Sequence, residues 1–298
     1  MDKTNREFYF LKLLTQYNIK YKFMDLTNMN INNTSNNEIK NMNISDSTLK
    51  KRKRTEDIIN PATNYENTIL FTIGRMNPPT TGHLLLIKSM IEYAIKKQLS
   101  QINIILSATV DNKTNPIPCG EKRFFLLNFM IHHLKELMKI EQPMNAVTID
   151  NMQIKIICMD DYTNPEYGKN PILKSVQTIL NDLYGYPHEN DKIKMILFIG
   201  EDRENSFEWI KKSLSERNPP VYMETIGLSR PEGAMSATYI RKLATDGNFA
   251  LFKEEMLKTG LNEESINELY NKIREKIIVR KGGRKTRRIN RKYTPSDI

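Results

Sequence analysis

Two short stretches of this 298-residue chain combine small residues and hydroxyls with an imidazole or a guanidinium, each just before a helix-like segment. The first is GRMNPPTTGH, from Gly74 to His83, and the second is GAMSATYIR, from Gly233 to Arg241. A helix N-terminus presents free backbone N–H groups and the positive end of the helix dipole. Either stretch is therefore suited to binding an anion such as a phosphate.

The first stretch predicts a strand-to-helix turn with a capping threonine. Thr80 or Thr81 is placed to cap the helix, and His83 falls in its first turn. Gly82 has no side chain, so a ligand can approach the backbone there. The structural alternative is a tight turn with a capping threonine and a surface histidine, which a lone TxGH pattern does not exclude.

The second stretch repeats this chemistry in the other half of the chain. Ser236 is the expected N-cap, Thr238 lies in the first turn, and Arg241 follows one turn later. The planar guanidinium suits the spread charge of a phosphate. The alternative is again a capped helix with a surface arginine. Two such sites on either side of one sheet would suit a triphosphate.

The elements that must position these residues follow from hydrophobic periodicity. Short apolar runs alternate with longer amphipathic ones, which predicts a Rossmann-like α/β fold: a doubly wound parallel sheet with helices on both faces. Ligands of such sheets lie at the carboxyl ends of the strands. The predicted strands are 68–73, 102–108, 153–159, 193–199 and 221–226, and the predicted helices are 82–97, 119–139, 170–184, 205–214, 236–245, 248–258 and 262–279.

The net charge of +10 is concentrated at the ends of the chain. Residues 67–271 are nearly neutral, with 23 basic and 25 acidic residues, whereas 276–292 hold nine basic residues and no acidic one. We expect three parts: a short helix with an Asn-rich, basic linker (1–67), the α/β domain (68–260), and a C-terminal helix with a basic tail (261–298). We expect the basic termini to be flexible. The alternatives for the tail are a solvated charge run and a contact with nucleic acid or another polyanion.

Several classes of protein are excluded or disfavoured. No apolar run is long enough for a membrane span, and the N-terminus lacks a secretory pattern, so we expect an intracellular protein, cytoplasmic or nuclear in a host cell. Cys119 and Cys158 lack metal-ligand spacing and are expected to be reduced thiols. No metal-ligand cluster, nucleophilic triad or carboxylate pair stands out.

Four blocks, in order from about residue 68 to 260, resemble the HxGH nucleotidylyltransferase (cytidylyltransferase-like) superfamily. PTTGH and MSATYIR resemble its (H/T)xGH and ISSTxxR motifs, SATVDNKTNPIPCGEKRFFLL resembles its KxNPL segment, and GEDRENSFEW resembles its GSDRxxxF segment. The opening GRMNPPTTGH is most similar to members from large phages and giant viruses and to nicotinamide mononucleotide adenylyltransferases.

The resemblance implies transfer of a nucleoside monophosphate from a nucleoside triphosphate, ATP being expected, to a phosphorylated acceptor, with Mg²⁺ assisting. It implies catalytic roles for Thr80, His83 and Arg241. It implies nucleotide contacts for Gly74, Arg75, Gly82, Lys113, Gly200, Asp202, Arg203, Ser236 and Thr238. Lys113 is equally consistent with an exposed loop lysine, and Asp202 and Arg203 with pairing to each other. The first His of the HxGH pattern is Thr80 here, so one imidazole is missing.

Several alternatives remain open at this stage. Pyridine mononucleotide, flavin mononucleotide, phosphopantetheine and phosphorylated alcohols are all acceptors in the superfamily. Trp209 is either an acceptor-stacking residue or core. The alternative hypothesis is a catalytically inactive protein on the same fold that binds a nucleotide or nucleic acid. An aminoacyl-tRNA synthetase-like module would need a KMSKS-type loop, which is not visible.

Overall fold

The strands form one parallel sheet in the computed structural model, which describes residues 67–161, 170–184, 192–230 and 233–286 (side chains of 183–184 and 278–286 excepted). The strands are β1 (Asn67–Gly74), β2 (Gln101–Leu106), β3 (Gln153–Cys158), β4 (Ile193–Gly200) and β5 (Tyr222–Leu228). Their order is β3-β2-β1-β4-β5, with every pair parallel. The order reverses between β1 and β4, which are neighbours at the centre of the sheet.

The helices between the strands form the crossover connections, and the last three helices follow β5. They are α1 (Thr81–Lys96), α2 (Cys119–Phe125), α3 (Ile131–Glu141), α4 (Ala146–Asn151), α5 (Pro171–Tyr184), α6 (Glu208–Ser215), α7 (Ala237–Thr245), α8 (Phe249–Leu257) and α9 (Glu263–Thr286). A π-helical turn, Leu126–Met130, joins α2 to α3, and 3₁₀ turns cover Pro143–Asn145 and Glu201–Phe207.

Alternation along the strands divides the buried residues into two cores, one on each face. Leu70 of β1 packs with residues of α1, α2, α3, α7, α8 and α9. Its neighbours in sequence, Ile69 and Phe71, point to the other face and pack with α5 and α6. Side chains of a strand alternate between faces, so covering both faces requires helices on both. The predicted doubly wound, Rossmann-like α/β fold is therefore confirmed.

The periodic segments are found close to their predicted bounds, and the differences are short or irregular elements. The predicted helix 119–139 is interrupted by the π turn. Helix α4 was not predicted, since its six residues, AVTIDN, include β-branched side chains and are too short to show a helical period. The segment before α6 begins as a 3₁₀ turn.

The prediction of two reduced thiols is wrong, because Cys119 and Cys158 form a disulfide with Cα atoms 5.9 Å apart. Cys119 is the first residue of α2 and Cys158 the last of β3, and both are buried. The sequence separation of 39 hides this proximity, which arises because β2 and β3 are neighbours and α2 begins above their carboxyl ends.

The C-terminal segment contributes to the core on the α1 face. Ile266, Ile273 and Ile277 are buried there, and the Tyr270 ring makes edge-on contacts with Phe249 and Phe252, with centroids 4.8 Å and 5.1 Å away. The Asn-rich linker and the tail beyond residue 286 lie outside the described residues. None of the described helices has the length and apolar character needed to cross a bilayer.

Candidate active site

A cavity of about 800 Å³ lies where the strand order reverses. Its floor includes Gly74 at the end of β1 and Gly200 at the end of β4. In open parallel sheets this is the position where ligands bind. The following turns and the N-termini of α1 and α7 complete its wall. Of the twelve residues singled out from the sequence, eleven line the cavity: Gly74, Arg75, Thr80, Gly82, His83, Gly200, Asp202, Arg203, Ser236, Thr238 and Arg241.

His83 is held by the residue that caps its own helix. Thr80 is the N-cap of α1, and its backbone N–H donates to His83 Nδ1 at 3.0 Å. The Thr80 hydroxyl lies 2.9 Å from the same nitrogen. A backbone N–H can only donate, so Nδ1 carries a lone pair and the neutral ring carries its proton on Nε2. The capping geometry therefore prepares His83 to donate a hydrogen bond from Nε2.

The imidazole is neutral at physiological pH. Burial, followed by the positive charges of Arg230, Arg203, Arg241 and Lys122, lowers the pKa of His83 from 6.5 to about 4. A ring that is neutral and still donates a hydrogen bond can bind phosphate oxygen without a desolvated charge of its own.

The second stretch forms the opposite wall of the cavity. Ser236 is the N-cap of α7, and its hydroxyl accepts from the Tyr239 N–H at 3.1 Å, as predicted. Arg241 reaches back across the cavity to donate to the Asn77 carbonyl, and its second nitrogen donates to Thr238 Oγ1 at 3.1 Å. Burial lowers the pKa of Arg241, and the nearby charge of Arg75 lowers it further. The guanidinium thus joins the two helix N-termini.

Two further contacts between the stretches involve Thr81 and Gly82. The Met235 N–H donates to Thr81 Oγ1 at 3.3 Å. A Cβ on Gly82 would lie 3.2 Å from the Met235 carbonyl oxygen and 3.9 Å from Arg230 Nε. The glycine was predicted to leave room for a ligand, and the structure adds that it leaves room for the backbone of the other stretch.

The cavity has a positive charge balance. Its lining contains four arginines, Arg75, Arg203, Arg230 and Arg241, and two carboxylates, Glu201 and Asp202. Asp202 and Arg203 form only a long ion pair, with 3.9 Å between Oδ2 and Nε. A field of this sign concentrates anions, and the guanidinium forks match phosphate oxygens.

Lys113 is the one predicted residue that does not line the cavity. Asp111 accepts from the N–H groups of Lys113 and Thr114 at 2.7 Å and 2.6 Å, and these hydrogen bonds hold the pKa of Asp111 far below its usual range. The resulting turn places Thr114 on the cavity wall and leaves Lys113 exposed. Trp209, partly exposed on α6, is also absent from the lining.

Two cavity residues of consequence were not singled out from the sequence. Arg230 follows β5 and lowers the pKa of His83 more than any other charge. The rule that ligands lie beyond the carboxyl ends of strands could have found it. Asn77 is buried in the turn after β1: its side chain donates to the Ile117 carbonyl at 2.7 Å and accepts from the Ile117 N–H at 3.0 Å. Nothing local in the sequence indicates that pairing.

The described ranges contain one group of side chains that is compact enough to share a metal ion. It consists of Cys119, Cys158 and Asp160, and both of its sulfurs belong to the disulfide. Sulfurs that are bonded to each other are not thiolate ligands, so this group does not form a metal site.

Comparison with known proteins does not assign a function. No protein-family model matches the sequence, and no curated protein matches it. One solved structure, of a protein assigned as a nicotinate-nucleotide adenylyltransferase from Vibrio parahaemolyticus, is similar to 68% of this chain and 98% of its own length, with 14% identity and a TM-score of 0.34. A likeness of this size carries no conclusion about activity.

Proposed function

We propose that this chain is a nucleotidylyltransferase that transfers a nucleoside monophosphate from ATP to a phosphorylated acceptor and releases pyrophosphate. One observation carries the proposal: the N-termini of α1 and α7 converge on one cationic cavity at the switch point of the sheet. Two helix N-termini, a neutral imidazole and four guanidiniums fit a chain of phosphates better than a single one.

The reaction requires no nucleophile or general base from the protein. A phosphate oxygen of the acceptor attacks the α-phosphorus of ATP, and a new P–O bond forms as the bond to the bridging α–β oxygen breaks. The electron pair of that bond leaves with pyrophosphate. Catalysis of such a displacement consists of positioning and charge stabilisation, and the lining groups are of the type that supplies both.

Each stretch takes a separate part of the triphosphate in this proposal. His83, through Nε2–H, stabilises the charge that develops on the α-phosphate, while Thr80 fixes the ring. Ser236, Thr238 and Arg241 hold the β- and γ-phosphates at the N-terminus of α7. Binding there would draw Arg241 from the Asn77 carbonyl towards phosphate oxygen. Arg75, Arg203 and Arg230 balance the remaining charge.

Mg²⁺ is proposed to enter with the triphosphate. The lining offers few oxygen ligands for a cation, with Asp202 and Glu201 as its carboxylates, which fits an ion held mainly by phosphate oxygens and water. When bound, the ion would neutralise charge on the leaving pyrophosphate.

For the acceptor we propose a pyridine mononucleotide of the nicotinamide type. This choice rests on the likeness of GRMNPP, KTNPI and GEDR to enzymes of that kind. The exposed position of Lys113 leaves the acceptor's phosphate to Arg75 and its neighbours.

The test is pyrophosphate release with Mg²⁺, each nucleoside triphosphate in turn and a panel of phosphorylated acceptors. We expect pyrophosphate release with one acceptor of the panel and none in its absence. His83→Ala should lower kcat by about 10²- to 10³-fold, the effect of removing one hydrogen bond to the transition state. His132→Ala is the matched control, since His132 is exposed on α3 and absent from the cavity lining. Binding of ATP with no release for any pair would refute transfer and leave the nucleotide-binding protein as the function.

A further inference from the structure

Lys122 of α2 is fully buried, yet its ammonium forms no ion pair with a carboxylate of the described residues. Nζ donates to the Arg75 carbonyl at 3.0 Å and the Ser107 carbonyl at 2.6 Å. These carbonyls follow the last residues of β1 and β2, so one side chain ties the ends of two central strands together. Burial disfavours the charged form of an ammonium unless a nearby negative charge or hydrogen-bond acceptors stabilise it.

The contrast with Lys88 shows that this chain neutralises a buried lysine elsewhere. Lys88 is equally buried, but its Nζ lies 2.8 Å from Glu141 and 3.4 Å from Glu92. The negative charge of Asp160 acts on Lys122. The charge of Lys122 in turn acts on His83, whose pKa it helps to lower. The field of Lys122 therefore reaches the candidate site.

We propose that Lys122 is a positioning residue of the candidate site: its buried ammonium fixes the Arg75 peptide, aims the Arg75 guanidinium into the cavity, and adds positive potential beneath bound phosphates. The inference rests on the proposed binding of a triphosphate. Arg75 itself is exposed and lines the cavity, and the hydrogen bond to its carbonyl constrains its backbone.

The charge of Lys122 is adjustable near neutral pH. Burial lowers the pKa of its ammonium from 10.5 to about 8, against the opposing attraction of Asp160. The other charged groups around the cavity are Arg75, Arg203, Arg230, Arg241, Glu201 and Asp202. His83 is already neutral in this range, because its pKa is about 4. A bound polyanion favours charged Lys122, so affinity is highest below about pH 8 and falls as pH rises above it.

The experiment measures the dissociation constant of ATP by calorimetry from pH 7 to 9.5, a range in which the ligand's phosphates stay ionised. We expect wild-type affinity to fall about tenfold across this range, the size of effect that one nearby charge produces. Lys122→Met should bind at pH 7 as weakly as wild type binds at pH 9.5, with no alkaline change. Lys122→Arg should restore binding and move the change to higher pH.

Lys135→Met is the matched control. Lys135 also donates to two backbone carbonyls, those of Asp150 at 3.0 Å and Met152 at 2.8 Å, and burial lowers its pKa. It lies away from the cavity, so the control should keep the wild-type curve. If the role of Lys122 were only structural, Lys122→Met and Lys135→Met would have the same effect on ATP affinity and on its dependence on pH.

The outcomes separate this inference from the proposed function. A flat wild-type curve, or an unchanged curve in Lys122→Met, overturns the role of Lys122 while ATP binding itself stands. No ATP binding at pH 7 overturns both. If Lys122→Met does not fold, the wild-type and Lys122→Arg curves decide, because identical alkaline limbs would exclude Lys122 as their source.

Discussion

At the scale of single residues, the site depends on a histidine whose two nitrogens have separate tasks. Nδ1 accepts from the Thr80 N–H, and this leaves Nε2 as a donor towards the cavity. The sequence predicted a threonine cap, Thr80 or Thr81, with His83 in the first turn, and the structure assigns the cap to Thr80 and its N–H to His83 Nδ1. That Arg230 contributes the largest charge effect on the ring does not follow from the sequence, because this contact depends on the path of the chain after β5.

The first prediction concerns the titration of His83. By NMR the ring of the free protein should be neutral at pH 7, protonated on Nε2, with a pKa of about 4. Because the folded state resists protonation, the free energy of unfolding should fall as the pH drops from 6.5 towards 4. Saturating pyrophosphate should raise the pKa, since the anion offsets the surrounding arginines.

Two variants make the titration of His83 specific. Arg230→Met removes the largest positive charge effect, so it should raise the pKa of His83 in the free protein. Lys135→Met, away from the cavity, should leave that pKa in place. A proton on Nδ1, or a pKa that ignores pyrophosphate, would contradict the assigned geometry.

At the scale of elements, the two helix N-termini are aligned by contacts between segments far apart in sequence. The Arg241 guanidinium reaches the Asn77 carbonyl, and the Asn77 side chain pairs with the Ile117 backbone. One buried asparagine therefore connects the turn before α1 with the loop before α2. Such pairings form only once the strands are adjacent, so the elements could be predicted and their mutual placement could not.

The elements that the sequence indicated are those with a continuous apolar run or a long helical period. Strand β1 was predicted over 68–73 and spans Asn67–Gly74, because a buried parallel strand reads as a continuous apolar run. The short α4 and the π turn gave no periodic signal. The disulfide was missed because composition suggests only a redox environment, whereas pairing depends on the proximity of α2 and β3.

The second prediction tests the asparagine bridge. Asn77→Ala leaves a buried carbonyl and a buried N–H without partners, so we expect a loss of about 2–4 kcal/mol in the free energy of unfolding in urea. We also expect a higher KM for ATP, because the turn that presents Arg75 and the Arg241 acceptor loses its support.

The control for that variant is Asn103→Ala in β2. Asn103 is also buried, and its side chain donates to the Leu70 carbonyl at 3.0 Å, below the cavity. It should lower stability without changing KM. Equal changes in KM for both variants would show that the effect of Asn77 is a general loss of stability.

At the scale of the whole molecule, the third prediction concerns the disulfide, which links the start of α2 to the edge strand β3. A bridge across 39 residues restricts the unfolded chain, so reduction should lower the free energy of unfolding by about 3–4 kcal/mol. Urea unfolding with and without reductant measures this. The double variant Cys119→Ser, Cys158→Ser should unfold at the same urea concentration with and without reductant. An unfolding curve of wild type that reductant leaves unchanged would show that the bridge contributes no stability.

The fourth prediction concerns the basic tail, whose end beyond residue 286 lies outside the described residues. The body is nearly neutral, so contact with a polyanion should depend on the tail and not on the cavity. Deleting residues 280–298 keeps the buried Ile277 and removes eight basic residues. Wild type should bind duplex DNA with an affinity that falls steeply with salt. The logarithm of the binding constant should fall by about 0.9 per tenfold rise in salt for each phosphate contact. The truncated chain should lose that binding and keep its affinity for ATP. Salt-dependent DNA binding that survives truncation would place the contact elsewhere on the chain, and competition by ATP would then assign it to the cationic cavity.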